Sequence, residues 1–159
     1  MIRNATAGDV AFIYDLYMHP AINPYLLYEP MSLDQFDPIF GDLVEKGVKF
    51  VYENDGIPMG MFKLIRMTYR SHHVAYLGGV AIHPAFGGQG HGQKMLAEMV
   101  DMALAQGVLR IELTTDTVND KAIRLYRKLG FKEEGLLKKY TYLADQQVYL
   151  DEVLMAYTA

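Results

Sequence analysis

Apolar positions along the chain change period several times, and each change marks an element. Ile2 to Asn4 reads as a short strand. Phe12, Ile13, Leu16 and Tyr17 recur at helical spacing, so a helix is predicted from Ala7 to Met18, capped by Thr6 and ended at His19-Pro20. Ala21 to Met31 is broken by proline among apolar and aromatic residues and reads as a loop with some helical turn. Ser32 caps a second helix with Phe36, Ile39, Phe40 and Leu43 inward, ending near Gly47. Val48 to Glu53 and Met59 to Met67 read as strands joined by Asn54-Asp55-Gly56, a strong hairpin signal. Val74 to Ile82 is another strand, and its Gly78-Gly79 marks a bulge or a close backbone approach.

The second half alternates elements. A helix from about Gly90 to Gln106 buries Leu96, Met99, Val100 and Ala103, and Gly107 stops it. Leu109 to Thr115 is a strand in which Ile111 and Leu113 alternate with Arg110 and Glu112. Asn119 to Leu129 is helical, with Ile123, Leu125 and Tyr126 inward. Phe131 to Leu143 and Val148 to Tyr157 close the chain as a strand pair. This order predicts an α/β (α+β) domain spanning residues 1–159, with a mixed, mostly antiparallel central sheet flanked by helices.

Composition narrows the function classes. A net charge of −4 gives no electrostatic case for nucleic acid or an anionic membrane as main partner. The absence of cysteine removes disulfides, thiolate metal sites and a cysteine nucleophile. No apolar run is long enough to span a bilayer and the N-terminus lacks a signal-peptide core, so a cytoplasmic location is the expectation. No histidine or carboxylate spacing suggests a metal. His72 and His73 are adjacent and are expected to point to opposite faces of a strand.

The segment Val80-Ala81-Ile82-His83-Pro84-Ala85-Phe86-Gly87-Gly88-Gln89-Gly90-His91-Gly92-Gln93-Lys94 carries the chemistry. A strand runs into a glycine-rich turn and then a helix start, which presents free N–H groups and a positive dipole end to an anion such as a pyrophosphate. The NTPase loop fails, because Gln93-Lys94 follows Gly92 where Lys-Ser/Thr is needed. The dinucleotide fingerprint fails at its sixth position, which is Gln93 or Met95. Gly87-Gly88-Gln89-Gly90-His91-Gly92 instead resembles the acyl-CoA loop of the GNAT-type N-acetyltransferases. Asn119-Asp120-Lys121-Ala122-Ile123-Arg124-Leu125-Tyr126-Arg127-Lys128-Leu129-Gly130-Phe131 is similar to that family's second signature, and the order of elements fits end to end. One departure is Gly87, where the family usually has Arg or Gln.

The resemblance implies acetyl transfer from acetyl-CoA to a primary amine of a small molecule, an amino acid among the options. A protein N-terminal or lysine acetyltransferase is the alternative within enzymes, and a non-catalytic CoA-binding sensor the alternative outside them. It implies backbone contacts to the pantetheine arm from Val80, Ala81 and Ile82, and to the pyrophosphate from Gly87, Gly88, Gln89, Gly90, His91, Gly92 and Gln93. It also implies an oxyanion-binding amide on the edge from Val80 to Ile82. Asn119 is either a CoA contact or a helix cap. Tyr126 is the candidate general acid, since a phenol is protonated at neutral pH and can reprotonate a thiolate. Glu112 is the candidate general base, acting directly or through water, against the reading that it is ion-paired. Tyr28, Glu29 and Tyr140 are candidate acceptor contacts, with Tyr25 and Tyr142 beside them and Arg70 or Lys138 as candidate carboxylate binders. A homodimer is compatible with the closing hairpin.

Overall fold

Asp55 and Gly56 both adopt left-handed backbone, with φ of 51° and 75°. That pair is what a two-residue hairpin turn demands, and Asn54 lies opposite Ile57 across it. The computed structural model describes residues 1–159. Its elements are β1 (Ile2–Asn4), α1 (Val10–Met18), α2 (Leu33–Glu45), β2 (Lys49–Asn54), β3 (Ile57–Arg66), β4 (Val74–Ile82), α3 (His91–Ala105), β5 (Arg110–Asp116), α4 (Asp120–Lys128), β6 (Lys132–Leu143) and β7 (Val148–Thr158). All strands join a seven-stranded sheet in the order β1-β2-β3-β4-β5-β7-β6. Only the β4–β5 pair is parallel. The mixed, mostly antiparallel sheet expected from the sequence is therefore what forms, and no helix is long and apolar enough to cross a membrane.

The sheet is covered on both faces. On one, Met95, Leu96, Met99, Val100 and Ala103 of α3 and Ile123 and Tyr126 of α4 pack on Phe62, Leu64, Leu77, Ile111, Leu113 and Met155. On the other, Ile13, Leu16 and Tyr17 of α1 and Phe36 and Phe40 of α2 pack on Val51, Met61 and Ala81. Each fully buried side chain of this size stabilises the fold by about 1.5–3 kcal/mol. The stripe expected on α3 is buried, as are Phe36, Phe40 and Leu43 of α2; Ile39 of α2, Leu125 of α4 and Phe12 of α1 are only half-buried.

Two local expectations are corrected. The first turn after Thr6 is a 3-10 turn over Ala7–Asp9, and α1 starts at Val10. Thr6 is the N-cap of this turn in a capping box, in which Asp9 reaches back and accepts from the Thr6 N–H at 2.8 Å. Arg3 holds Asp9 there. Its guanidinium holds both Asp9 oxygens at 2.8 and 2.9 Å and donates through Nε to Glu53 at 2.8 Å. This clamp ties the β1–β2 edge of the sheet to the turn that launches α1. His72 and His73 precede β4 rather than lie in it, and their rings meet edge to face at 5.8 Å.

The Arg3 guanidinium holds the Asp9 carboxyl below the usual carboxylate range. A lowered folded value stabilises the fold above the unfolded value of about 3.9, and that stability is lost as pH falls through the folded value. Arg3→Met should cost about 2 kcal/mol at pH 7. The gap between the urea midpoints of the two proteins should begin to narrow below about pH 4 and close only beneath the folded Asp9 value.

Candidate active site

β4 and β5 pair only over Val74–Tyr76 and Arg110–Glu112. Beyond Tyr76 they separate, although β4 keeps β3 as far as Ile82 and β5 keeps β7 as far as Asp116. The sheet thus opens as a wedge between two strands that each remain braced on the far side. A bulge lies at the start of the opening. Met61 faces Ala81 and Lys63 faces Gly78, so Phe62 stands opposite both Gly79 and Val80. Gly79 has φ of +57°, and a Cβ there would lie 2.6 Å from Tyr17 Oη, so the bulge requires glycine twice over. At the end of β4 the His83 N–H donates to the Met59 carbonyl, towards β3. Strand alternation then turns the backbone groups of Ile82 and Val80 into the wedge.

The glycine-rich turn closes the wide end. His83 Nδ1 accepts from the Ala85 N–H at 3.2 Å, so His83 acts as a turn residue. Gly88 and Gly90 are left-handed, with φ of 72° and 81°, and around both a Cβ would meet nothing. Gly90 is the N-cap of α3, and it has no side chain with which to cap. The N–H groups from Gly88 to Gln93 have no acceptor within the chain. Free N–H groups at a helix start, open to solvent, form an anion cradle. Gly92 is where α3 passes close over its neighbours; a Cβ would touch Leu125 and Ile82. Gly87 has ordinary extended backbone and contributes no side chain. His91 Nδ1 is buried without a partner, its ring set between Tyr52 and Phe86. These features suit the diphosphate and arm of coenzyme A, the amides taking the phosphates and the wedge edge the amide-bearing arm.

On the α1–α2 side, the loop before α2 faces the β6–β7 turn across a cavity of about 230 Å³. Tyr28 and Glu29 line it from the loop, and Thr141, Tyr142 and Asp145 from the hairpin. Asn23 holds the loop in shape: its Nδ2 donates to the carbonyls of Tyr17 and Tyr28 at 2.7 and 2.9 Å. Tyr140 stands outside this cavity, in an exposed bulge between Leu137 and Thr141. Arg70 lies in the turn before β4, at the opposite end of that strand from the glycine-rich turn. Lys138 sits in the same bulge as Tyr140 and is exposed.

The remaining candidates separate clearly. Tyr126 is buried against Phe131 at 5.6 Å, and burial together with the Tyr76 phenol pushes its own phenol up. It therefore stays protonated at neutral pH. Asn119 is the N-cap of α4, its Oδ1 accepting from the Ala122 N–H at 3.4 Å. Glu112 accepts from Arg110 Nε at 2.9 Å, and Arg110 also grips Glu134 at 2.6 and 3.1 Å. The Glu112 carboxylate is thus held in an ion pair where β4 and β5 still touch, which differs from the free carboxylate expected of a base.

Sequence reasoning missed a buried polar group. Lys49 is 1% exposed and lies opposite Lys63, itself 8% exposed, across the β2–β3 ladder. Lys49 Nζ donates to Tyr17 Oη at 2.8 Å and sits 4.5 Å from that ring's centre. No carboxylate pairs with it. Burial, reinforced by Lys63, pulls its ammonium well below the usual lysine range. The available signal was phase: Lys49 is two residues before fully buried Val51 and Lys63 two after fully buried Met61.

Comparison with known proteins agrees with this geometry. The family model described as "Acetyltransferase (GNAT) family" matches residues 10–131. The chain belongs to the GNAT acetyltransferase family. Among relatives, it is 37% identical over 70 residues to the N-alpha-acetyltransferase RimI of Mycobacterium tuberculosis, covering 44% of this chain and 42% of that one. It is 29% identical over 160 residues to the L-amino acid N-acetyltransferase AaaT of Escherichia coli, covering 98% and 96%. The chain spans less than half the length of the first curated relatives it matches, 42% and 19%. The Vibrio cholerae spermidine N-acetyltransferase in complex with CoA and spermine superposes with a TM-score of 0.87 at 25% identity, over 99% of this GNAT chain and 94% of that one.

A lysine whose folded value is lowered destabilises the fold most at low pH, because burial then either strips its proton or buries its charge. That penalty is relieved as pH rises from the folded value to about 10.4. Lys49→Met should therefore gain stability relative to the wild type at pH 6 and lose that advantage by pH 10, as read from urea midpoints.

Proposed function

We propose that the chain transfers the acetyl group of acetyl-CoA to a primary amine of a small molecule, by direct attack through a tetrahedral intermediate. The observation that carries this is the wedge: the Val80 and Ile82 backbone edge runs directly into the uncapped N–H groups from Gly88 to Gln93. An extended, amide-bearing arm can pair with the free edge of β4 while its diphosphate rests on the start of α3. Gly87, Gly88, Gln89, Gly90, His91, Gly92 and Gln93 form this phosphate-binding turn, and Val80, Ala81 and Ile82 the arm-binding strand. The family match and the AaaT and spermidine acetyltransferase likenesses support the same reading.

The chemistry follows from position. Holding donor and acceptor in one wedge replaces a bimolecular encounter by an intramolecular one. A backbone N–H of the Val80–Ile82 edge stabilises the oxyanion that develops on the thioester carbonyl. The carbon–sulfur bond then breaks, and Tyr126 supplies a proton to the departing thiolate. The acceptor enters from the cavity between the loop before α2 and the β6–β7 turn, where Glu29 and Asp145 attract an ammonium group and Tyr28 and Tyr142 flank its carbon chain. A cavity of about 230 Å³ enclosed by two loops favours a small acceptor over a peptide segment.

A thiol-release assay with acetyl-CoA and a panel of polyamines, free amino acids and N-terminal peptides tests the reading. Turnover of the small amines supports it, and turnover of peptides alone would transfer it to protein substrates. Binding of acetyl-CoA without turnover of any amine would leave a CoA-binding protein. Tyr126→Phe should lower kcat by about 10²-fold with the KM for acetyl-CoA unchanged. Gly90→Val, which forces a branched side chain into left-handed backbone, should instead raise the acetyl-CoA KM about tenfold while leaving the amine KM unchanged.

A further inference from the structure

We propose that Lys49, acting through the Tyr17 hydroxyl, takes up the proton that the acceptor ammonium must lose before it can attack. The inference rests on the acetyl-transfer reading above. A primary amine has a pKa of about 10.4 and arrives protonated at neutral pH, so the wedge needs a proton acceptor. Glu112 is committed to Arg110. Lys49 is buried, has no carboxylate partner, and spends a hydrogen bond on Tyr17 Oη at 2.8 Å.

Place decides the rest. The Tyr17 hydroxyl and Lys49 Nζ both press on the bulge at Gly79, where a Cβ would lie 2.6 Å from the one and 3.2 Å from the other. Gly78, Gly79 and Val80 are partly open to solvent. The pair therefore stands directly behind the point where β4 leaves β5 and offers its edge to the thioester. From the other direction, Tyr17 packs edge to face on Tyr28 at 5.0 Å, and Tyr28 lines the acceptor cavity. The Tyr17 ring thus stands between Lys49 and the acceptor side of the sheet.

The groups facing Lys49 leave it disposed to accept. Lys63 faces it from β3, and Tyr17 from α1. Tyr28 stands behind Tyr17, and the field of Asp42 on α2 reaches Tyr28. α2 itself presents Phe36 to Tyr17, and β4 presents Gly79. Burial also holds the Tyr17 phenol above its ordinary value, so the phenol relays a proton without resting as phenolate. In the step, the Lys49–Tyr17 hydrogen bond reverses: a proton leaves the acceptor ammonium for the Tyr17 oxygen through a water, as the phenol proton passes to the uncharged Lys49 Nζ. The freed amine forms the carbon–nitrogen bond, and the carbon–sulfur bond breaks. The second proton on that nitrogen goes to the thiolate by way of Tyr126. Lys49 then returns its proton to solvent, which is the net acid of the reaction.

The test is the pH dependence of kcat/KM for an accepted small amine, in the wild type, Lys49→Met, Lys49→Arg and Tyr17→Phe, each checked for folding by circular dichroism. Lys49→Met should lose about 100-fold at pH 7 and recover to within about threefold by pH 10, where about a quarter of the amine is free unaided. Arginine stays protonated and should not rescue. Tyr17→Phe should lose activity in the same pH-dependent way, with the acetyl-CoA KM unchanged in all variants. A Lys49→Met profile that superposes on the wild type, or one lowered equally at every pH, would overturn the role. If Lys49→Met does not fold, the Tyr17→Phe profile decides by the same criterion. A wild type inactive on every amine would instead remove the acetyl-transfer reading on which the role stands.

Discussion

One broken ladder organises the molecule. β4 is bonded to β3 along its length but gives up β5 after Tyr76, and the bulge at Gly79 stands where the two part. A parallel pair that parts inside a sheet leaves backbone donors and acceptors without partners, which costs free energy unless something else pairs with them. In this fold that cost is offset by full packing on the outer sides: β3 and β7 brace the two arms, and α3 and α4 cover one face with a continuous apolar layer. The opening is therefore braced on both sides, and its edge leaves backbone groups open to pairing.

The glycine-rich turn and the bulge serve this edge from opposite ends. At the wide end, Gly88 and Gly90 take up left-handed backbone so that the chain can turn from strand to helix within a few residues, leaving its N–H groups uncovered. At the narrow end, Gly79 allows Tyr17 Oη to approach the backbone more closely than a Cβ would permit, with Lys49 Nζ close beside it. The edge and the turn are thus made of main-chain atoms, whereas the buried polar side chains nearby come from α1, β2 and α4.

Much of this was legible in the sequence. The glycine spacing and the Asn119-to-Phe131 segment identified the family, and the helical and alternating patterns of α2, α3 and β5 placed their buried faces. The hairpin at Asp55-Gly56 followed from turn chemistry alone. The wedge was not legible, because strand separation is a property of pairing rather than of any one strand's residues. The Lys49–Lys63 pair was hidden for a related reason: charged residues in strands read as solvent-facing, and only the register that sets both beside Val51 and Met61 reveals their burial. Glu112 shows the reverse. Its position on β5 suggested a base, and the partner that engages it, Arg110, was its own neighbour two residues away on the same face of the strand. The Asp9 clamp was likewise invisible, since Arg3 and Glu53 meet only after β1 and β2 pair.

The cavity of about 230 Å³ draws its walls from the loop before α2 and the β6–β7 turn, neither of which contributes a pairing to the wedge. Asn23 keeps that loop in shape through main-chain carbonyls, indifferent to which side chains flank it. The two segments can therefore lengthen or be redesigned without disturbing the strand pairing, so one sheet and one turn leave room for many cavity shapes.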